Sequence, residues 1–406
     1  MSPRNRQKNG WNRLGIAAVL AVLVMLVSFA TVDIVLNRFP GAGAQGIDLM
    51  RELLGDKTAA QVESAVFRAE DVFHQWRYQI SGKPPRAPWS ATTDRPGPDA
   101  NQNARRGFGL LVSNLLNRQG TQSEPSSSWK IPTILPMGTV AGEGQWSPYL
   151  YNRSGEVIAQ RGFLQPDPQR PYALVAVVAF DLSKTRLHFV PGFDEPKSSV
   201  PADRPGTILA ADIAPGVLVA AFNGGFKAQH GHFGAMSAGV VLIPPRPGLG
   251  TVGIYNDGKV QIGAWGTEIQ PSDKLIAWRQ NGPLIIHDGV VNPHTADNAP
   301  QDWGYTVAGS ITTSRSALGI SQDGRTLFYA AGTDLTLPAL ARALQAAGAY
   351  QAIQLDINNY YVHFEAIHFK GTTPQAELLL ESMQGSGDQR YLKPDPRDFF
   401  YITALG

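Results

Sequence analysis

The chain has 406 residues, no cysteine and a formal net charge of +2. Without thiols, disulfides, thiolate zinc sites, iron–sulfur clusters and a cysteine nucleophile are excluded. Without a net basic field, nucleic acid is not an expected partner.

The first element is apolar. Residues 14–32 (LGIAAVLAVLVMLVSFATV) carry no charge, and Arg4, Arg6, Lys8 and Arg13 precede them. Nineteen residues at about 1.5 Å each span roughly 28 Å, close to a hydrocarbon core. The basic flank predicts a single-pass signal-anchor: N-terminus cytoplasmic, lipid bilayer met by residues 14–36, main domain extracytoplasmic. The rival reading is a cleaved signal peptide, with Ala42-Gly43-Ala44 as an A-x-A cleavage site. The length of the apolar run favours the anchor.

Residues 58–78 repeat apolar side chains at three- and four-residue steps: Val62, Ala65, Val66, Ala69, Val72, Phe73 and Trp76. That spacing predicts an amphipathic helix, with Thr58 as N-cap, packing on the main domain or on a second copy. The prolines Pro84, Pro85, Pro88, Pro96 and Pro98 make 81–103 a linker, with a short helix expected around 108–117. The division is therefore 1–40 cytoplasmic tail and anchor, 41–130 stalk, and 131–406 main domain.

From 131 the pattern is one of strands. Residues 172–180 (YALVAVVAF), 217–222 (VLVAAF) and 239–243 are short apolar runs suited to buried strands. Asp257-Gly258, Asp288-Gly289 and Asp323-Gly324 mark tight hairpins, so these aspartates read as structural. Residues 334–347 form a helix with Thr336 as cap, Pro338 near its first turn and Gly348 as terminator. A strand at 352–355 follows and ends at Asp356. The expected fold class is α+β: a mixed, largely antiparallel sheet or sheets with packed helices, preceded by the transmembrane helix.

Four polar segments sit where turns leave these strands. Asn223-Gly224-Gly225-Phe226 follows VLVAAF, and its glycines allow close backbone approach. Arg279-Gln280-Asn281-Gly282-Pro283 precedes a hairpin. Arg315 enters the strand SALGI, either as a surface cation or as a fork for phosphate or carboxylate. Asp356-Ile357-Asn358-Asn359-Tyr360-Tyr361 opens with a carboxylate at a buried strand end, costly unless paired or used. Here Asn358 and Asn359 form a turn or bind a ligand, and the tyrosines wall a sugar site or fill a core. His230 and His232 would share one face of a strand, and His363 and His368 flank Glu365. No established ligand spacing joins these groups, so no cofactor is expected and a divalent metal is unsupported.

Taken in order, VLVAAFNGGF, RQNGPLIIHDG, RSALGISQDGRTLFYAA and DLTLPALARALQAAGAYQAIQLD resemble the phosphodiester glycosidase family over roughly 131–406. The resemblance implies hydrolysis between a sugar's anomeric carbon and a phosphodiester. It implies site residues at Asn223, Gly224, Gly225, Asn281, Gly282, Pro283, Arg315 and Asp356. The family commonly continues the aspartate as Asp-Gly-Gly-Gly-Ser-Ser, where this chain has bulky residues.

The expected function is hydrolysis of a sugar-1-phosphodiester or related bond in envelope glycans. Asp356 and Arg315 would be catalytic. Asn223, Gly224, Gly225, Arg279, Asn281, Asn358 and Asn359 would bind substrate. Arg279 or Lys227 would assist Arg315 in neutralising the phosphodiester, and Glu365 is a candidate second carboxylate. The alternative is a non-catalytic envelope glycan-binding protein on the same fold.

Overall fold

The computed structural model describes Leu53 and residues 55–82, 85–89, 129–297 and 310–406. The expected membrane span and the helix at 108–117 lie outside them. Among the described residues, no helix is long and apolar enough to cross a membrane.

Helix α1 (Asp56–Ser81) comes first, followed by β1 (Ser147–Tyr151), β2 (Val157–Leu164), β3 (Val175–Asp181) and β4 (Thr185–Val190). Next are β5 (Leu218–Asn223), β6 (Ala235–Ser237), β7 (Val240–Ile243), β8 (Gly250–Tyr255), β9 (Val260–Ala264) and β10 (Leu275–Gln280). Then β11 (Leu284–His287), β12 (Val290–Val291), β13 (Thr313–Ile320) and β14 (Thr326–Leu335) lead into helix α2 (Leu337–Ala347). The chain closes with β15 (Gln351–Gln354), β16 (Phe364–Lys370), β17 (Thr373–Leu378) and β18 (Phe399–Ala404).

Three sheets result. The largest has the order β1-β2-β3-β14-β13-β15-β11-β12; the others are β7-β6-β10-β8-β9 and β17-β16-β5-β18-β4. Each named strand pair is antiparallel. The three Asp-Gly pairs do form hairpin turns, with Gly258, Gly289 and Gly324 all at positive φ.

Strand β3 shows why its sequence is a continuous apolar run. Val175, Val177 and Ala179 join the core that holds α2, while Ala176, Val178 and Phe180 join the core shared with the other sheets. Both faces are covered, so alternation vanishes. Helix α2 buries Leu337, Leu340, Ala341, Leu344 and Ala347 against that first face. Thr336 caps it by accepting the Ala339 N–H, and Gly348 ends it in the left-handed conformation, as the sequence predicts. Asp334, however, lies in β14 and not in the helix.

One expectation for α1 needs revision. The helix begins at Asp56 after Gly55 (φ 80°), and no side chain caps it. Thr58 is an exposed first-turn residue, because the chain enters through glycine's positive φ and leaves no cap position for the hydroxyl. Of the two packing readings, α1 packs on the main domain. Both Asp71 carboxylate oxygens accept from Arg170, at 2.7 and 2.6 Å. The His74 ring contacts Asp334 at 2.7 Å, and Phe67 packs onto Phe226, Phe233, Ile311 and Ile357. From the proline-rich segment, Trp89 meets the edge of Phe163.

Candidate active site

The sheets converge where strands end in polar residues. Strand β5 closes on Asn223, paired with Phe399 of β18, so Asp398 lies beside Gly224. Strand β15 passes into Leu355 and Asp356, whose N–H groups donate to Ser316 and Gly224 carbonyls. Strand β10 delivers Arg279 and Gln280, and Asn281 follows. Each position is thus fixed by backbone pairing that the strands dictate.

Asn223 is a buried hub. Its amide donates to Ser316 Oγ at 2.9 Å, and its Oδ1 accepts from the Tyr329 hydroxyl and the His363 N–H. Ser316 Oγ in turn donates to the Asp356 carbonyl at 2.8 Å. Asn281 accepts the Phe226 N–H and donates to the carbonyls of Gln354 and Leu355. It therefore ties the Asn-Gly-Gly turn to the strand that carries Asp356.

Both glycines of that turn are required by space. A Cβ on Gly224 would lie 2.4 Å from Asp398 Oδ2, and one on Gly225 only 3.0 Å from Asn281 Oδ1 and 3.1 Å from the Arg279 guanidinium carbon. Neither glycine has the positive φ that would demand it on conformational grounds. Close approach, not turn geometry, is the reason.

The Asp356 carboxylate accepts at both oxygens. Oδ1 takes the N–H groups of Ile357 and Asn358, and Oδ2 meets Arg397 Nη2 at 2.5 Å. The same Arg397 nitrogen donates to the Gly225 carbonyl, and the guanidinium lies 4.2 Å over the Tyr361 ring. Burial opposes the charge on Arg397, but Asp356 and Asp398 outweigh it and hold its pKa above the ordinary value. A second pair lies alongside: Arg279 Nε donates to Asp398 Oδ2 at 2.7 Å, and that oxygen also accepts the Gly225 N–H.

Of the predicted residues, Asn223, Gly224, Gly225, Arg279, Asn281 and Asp356 come together in this network. Arg315 joins at one remove: it is fully buried and donates to the carbonyls of Leu335 and Ile311 and to Gln354 Oε1. Burial pushes its pKa down to about 9, so it stays charged at neutral pH. The surface-cation reading is therefore excluded, since strand β13 is covered on both faces. Arg279 is likewise 1% exposed, and its remaining donors hold the carbonyls of Phe233, Gln280 and Phe226.

Asn358 caps its own turn by accepting the Tyr360 N–H, and Asn359 accepts from Ser314 Oγ. Tyr360 and Tyr361 are half-buried and lie under the guanidinium of Arg390. Lys227 stands 6.0 Å from the Tyr361 ring.

Other expectations are corrected. Glu365 does not face Asp356: it accepts from the His363 ring and from the N–H groups of Arg390 and Tyr391. The carboxylate beside the turn is Asp398. His230 ends a 3-10 turn and His232 has φ 48°, so the expected strand with both rings on one face does not form. Among the described residues, no group of three or more His, Asp or Glu side chains is placed to hold a metal ion.

Sequence reasoning missed Arg397 and Asp398. The signal was present: both stand at the mouth of the apolar strand FFYITA, as Arg315 stands at the mouth of SALGI.

Residues 216–356 match the family model described as phosphodiester glycosidase. No curated protein matches the chain. Among solved structures, the zebrafish N-acetylglucosamine-1-phosphodiester alpha-N-acetylglucosaminidase catalytic domain, auto-inhibited by its pro-peptide, is similar at 14% identity. The match covers 63% of this chain and 85% of that one, with a TM-score of 0.38. A hypothetical protein from Synechocystis is similar at 13% identity over 61% of this chain and 62% of its own, with a TM-score of 0.35. A Burkholderia pseudomallei protein described as exported is similar at 11% identity, covering 58% and 74%, with a TM-score of 0.30. The family match starts just before β5 and ends on Asp356, so Asn223, Asn281, Arg315 and Asp356 all fall within the segment that is similar to the phosphodiester glycosidase model.

Proposed function

We propose that this chain is an exported, membrane-anchored hydrolase that cleaves a sugar-1-phosphodiester or related glycosidic bond in envelope glycans. The observation that carries it is the convergence of Asn223, the two glycines, Asn281 and Asp356 within the family-matched segment. In this reading the bond between C1 and the phosphoester oxygen breaks. Water supplies the new hydroxyl at C1, and its proton ends on the departing phosphomonoester.

Hydrogen bonds at both oxygens fix the orientation of the Asp356 carboxylate, and in this reading it stabilises the oxocarbenium-like sugar. Arg397 orients that carboxylate. Arg279, Arg315 and the asparagines act as positioning residues, because their described contacts fix the turn and the strand ends. The N-terminal apolar run and its basic flank support the membrane anchor.

The test is turnover of an aryl sugar-1-phosphodiester by the full chain. Asp356→Asn is expected to lower kcat by about 100-fold or more, the scale of losing one preorganised electrostatic group. Equal turnover by wild type and variant would refute the role of Asp356.

One observation favours a second reading, a glycan-binding protein without catalysis. Where the family carries glycines after the aspartate, Ile357 is buried against Phe226, Phe233, Ile311 and Phe67. Saturable glycan binding with no turnover of any sugar phosphodiester would establish it.

A further inference from the structure

A second concave site lies at the other end of β13. Arg315 stands near the candidate active site, and Ile320 is five residues further, about 17 Å of strand at 3.4 Å per residue. Beyond Ile320, three turns from different parts of the fold meet around a cavity of about 320 Å³. The β3–β4 turn and the start of β4 bring Ser183 and Arg186, the β8–β9 turn brings Asp257, Gly258 and Lys259, and the β13–β14 turn brings Arg325. Each hairpin contributes one cation.

The cations are held in place by the turns. Arg186 Nη1 donates to the carbonyls of Leu182 and Thr185, which lays the side chain across Gly258. A Cβ on Gly258 would sit 2.1 Å from Arg186 Nε, so only glycine lets the guanidinium reach over the neighbouring hairpin. Arg325 Nε lies 3.7 Å from the fully buried carboxylate of Asp181. Lys259 Nζ lies 5.6 Å from the Tyr255 ring centroid.

Acid opposes this charge only in part. Among the lining residues Asp257 is the one carboxylate, and its Oδ1 already accepts the Lys259 N–H within the turn. The lining residues thus comprise three cations and one carboxylate, with Asp181 beside Arg325 and Asp323 in the same turn offsetting part of that charge, around a hollow large enough for a small ligand. Guanidinium forks and an ammonium around a polar hollow are the chemistry of oxyanion capture.

We infer that the three hairpin turns form an anion site that binds phosphate groups, distinct from the candidate active site and independent of whether that site hydrolyses anything. The phosphate could be the free ion or one borne on an envelope polymer, and the two are separated by the probes. Binding of inorganic phosphate and of a glycerol phosphate polymer to the full chain is measured by titration calorimetry, for wild type and Arg186→Gln/Lys259→Gln. The double variant is expected to lose about tenfold in affinity for whichever probe binds, with wild-type binding weakening as salt rises.

A polymer that binds more tightly than the ion identifies the polymer as ligand; equal affinity per phosphate identifies the ion. If the double variant does not fold, Lys259→Glu changes only an exposed hairpin side chain and is expected to weaken binding in the same direction. Unchanged affinity in the folded variants, or no wild-type binding of either probe, overturns the site.

Discussion

Helix α2 meets the domain through apolar side chains buried on one sheet face, whereas α1 meets it through the Asp71 and His74 polar contacts, Phe67, and the Tyr172 ring that His74 and Tyr78 pack against. Leu340, Leu344 and Ala347 of α2 are fully buried. In α1, Val72, Trp76 and Ile80 remain exposed. A hydrophobic face has no group to titrate and no charge to screen, while an ion pair and a histidine contact have both. The same domain therefore carries one helix that is part of its core and another whose attachment depends on solution conditions.

The largest effect that would sharpen this contrast belongs to α2. Leu344→Ala is expected to cost about 2–5 kcal/mol of global stability, because it empties a fully buried site. Denaturant unfolding checks it. A cost below about 1 kcal/mol would mean that α2 is not integral to the core.

Asp71→Ala should come next, with about 2 kcal/mol lost from α1 docking alone. Burial would raise the Asp71 carboxyl, but hydrogen bonds from Arg170 and Gln75 outweigh it and hold the pKa below the usual range. Proteolysis within 56–81 should accelerate, while the unfolding midpoint of the sheets stays fixed. Simultaneous loss of both would break the comparison.

Thr336→Ala removes the α2 cap and should cost about 1 kcal/mol, again read in global unfolding.

The smallest effect is a pH dependence specific to α1. The Asp334 carboxylate raises the His74 pKa despite burial. A raised folded-state value stabilises the docked form fully below the ordinary histidine value of 6.5 and loses that contribution as pH rises through the folded value. Hydrogen exchange in 56–81 should therefore be slower at acid pH than at alkaline pH after correction for intrinsic rates. His74→Gln should abolish the difference; its persistence in the variant would assign the effect elsewhere.

The two helices also differ in how readable they were. Helix α2 announces itself with Thr336, Pro338 and Gly348, all acting within one turn of its ends. The periodicity of α1 was equally plain, yet its docking depends on Arg170 and Asp334, 99 and 260 residues away from their partners. The candidate site divides in the same way. Asn223 and Asp356 stand out as polar residues closing apolar strands, but the Arg397 partner of Asp356 lies 41 residues further along.

Taken alone, the sequence determined the β3 run, the Asp-Gly hairpins, the capped helix α2 and the polar strand ends, because each depends on neighbours within a few residues. Tertiary structure decided what those polar ends meet. It turned Arg279 and Arg315 inward onto carbonyls, replaced Glu365 by Asp398 beside the glycine turn, and gave Asp356 the Arg397 guanidinium. Charge pairing inside a fold is set by which strand ends coincide in space, and strand order leaves no local trace in the chain.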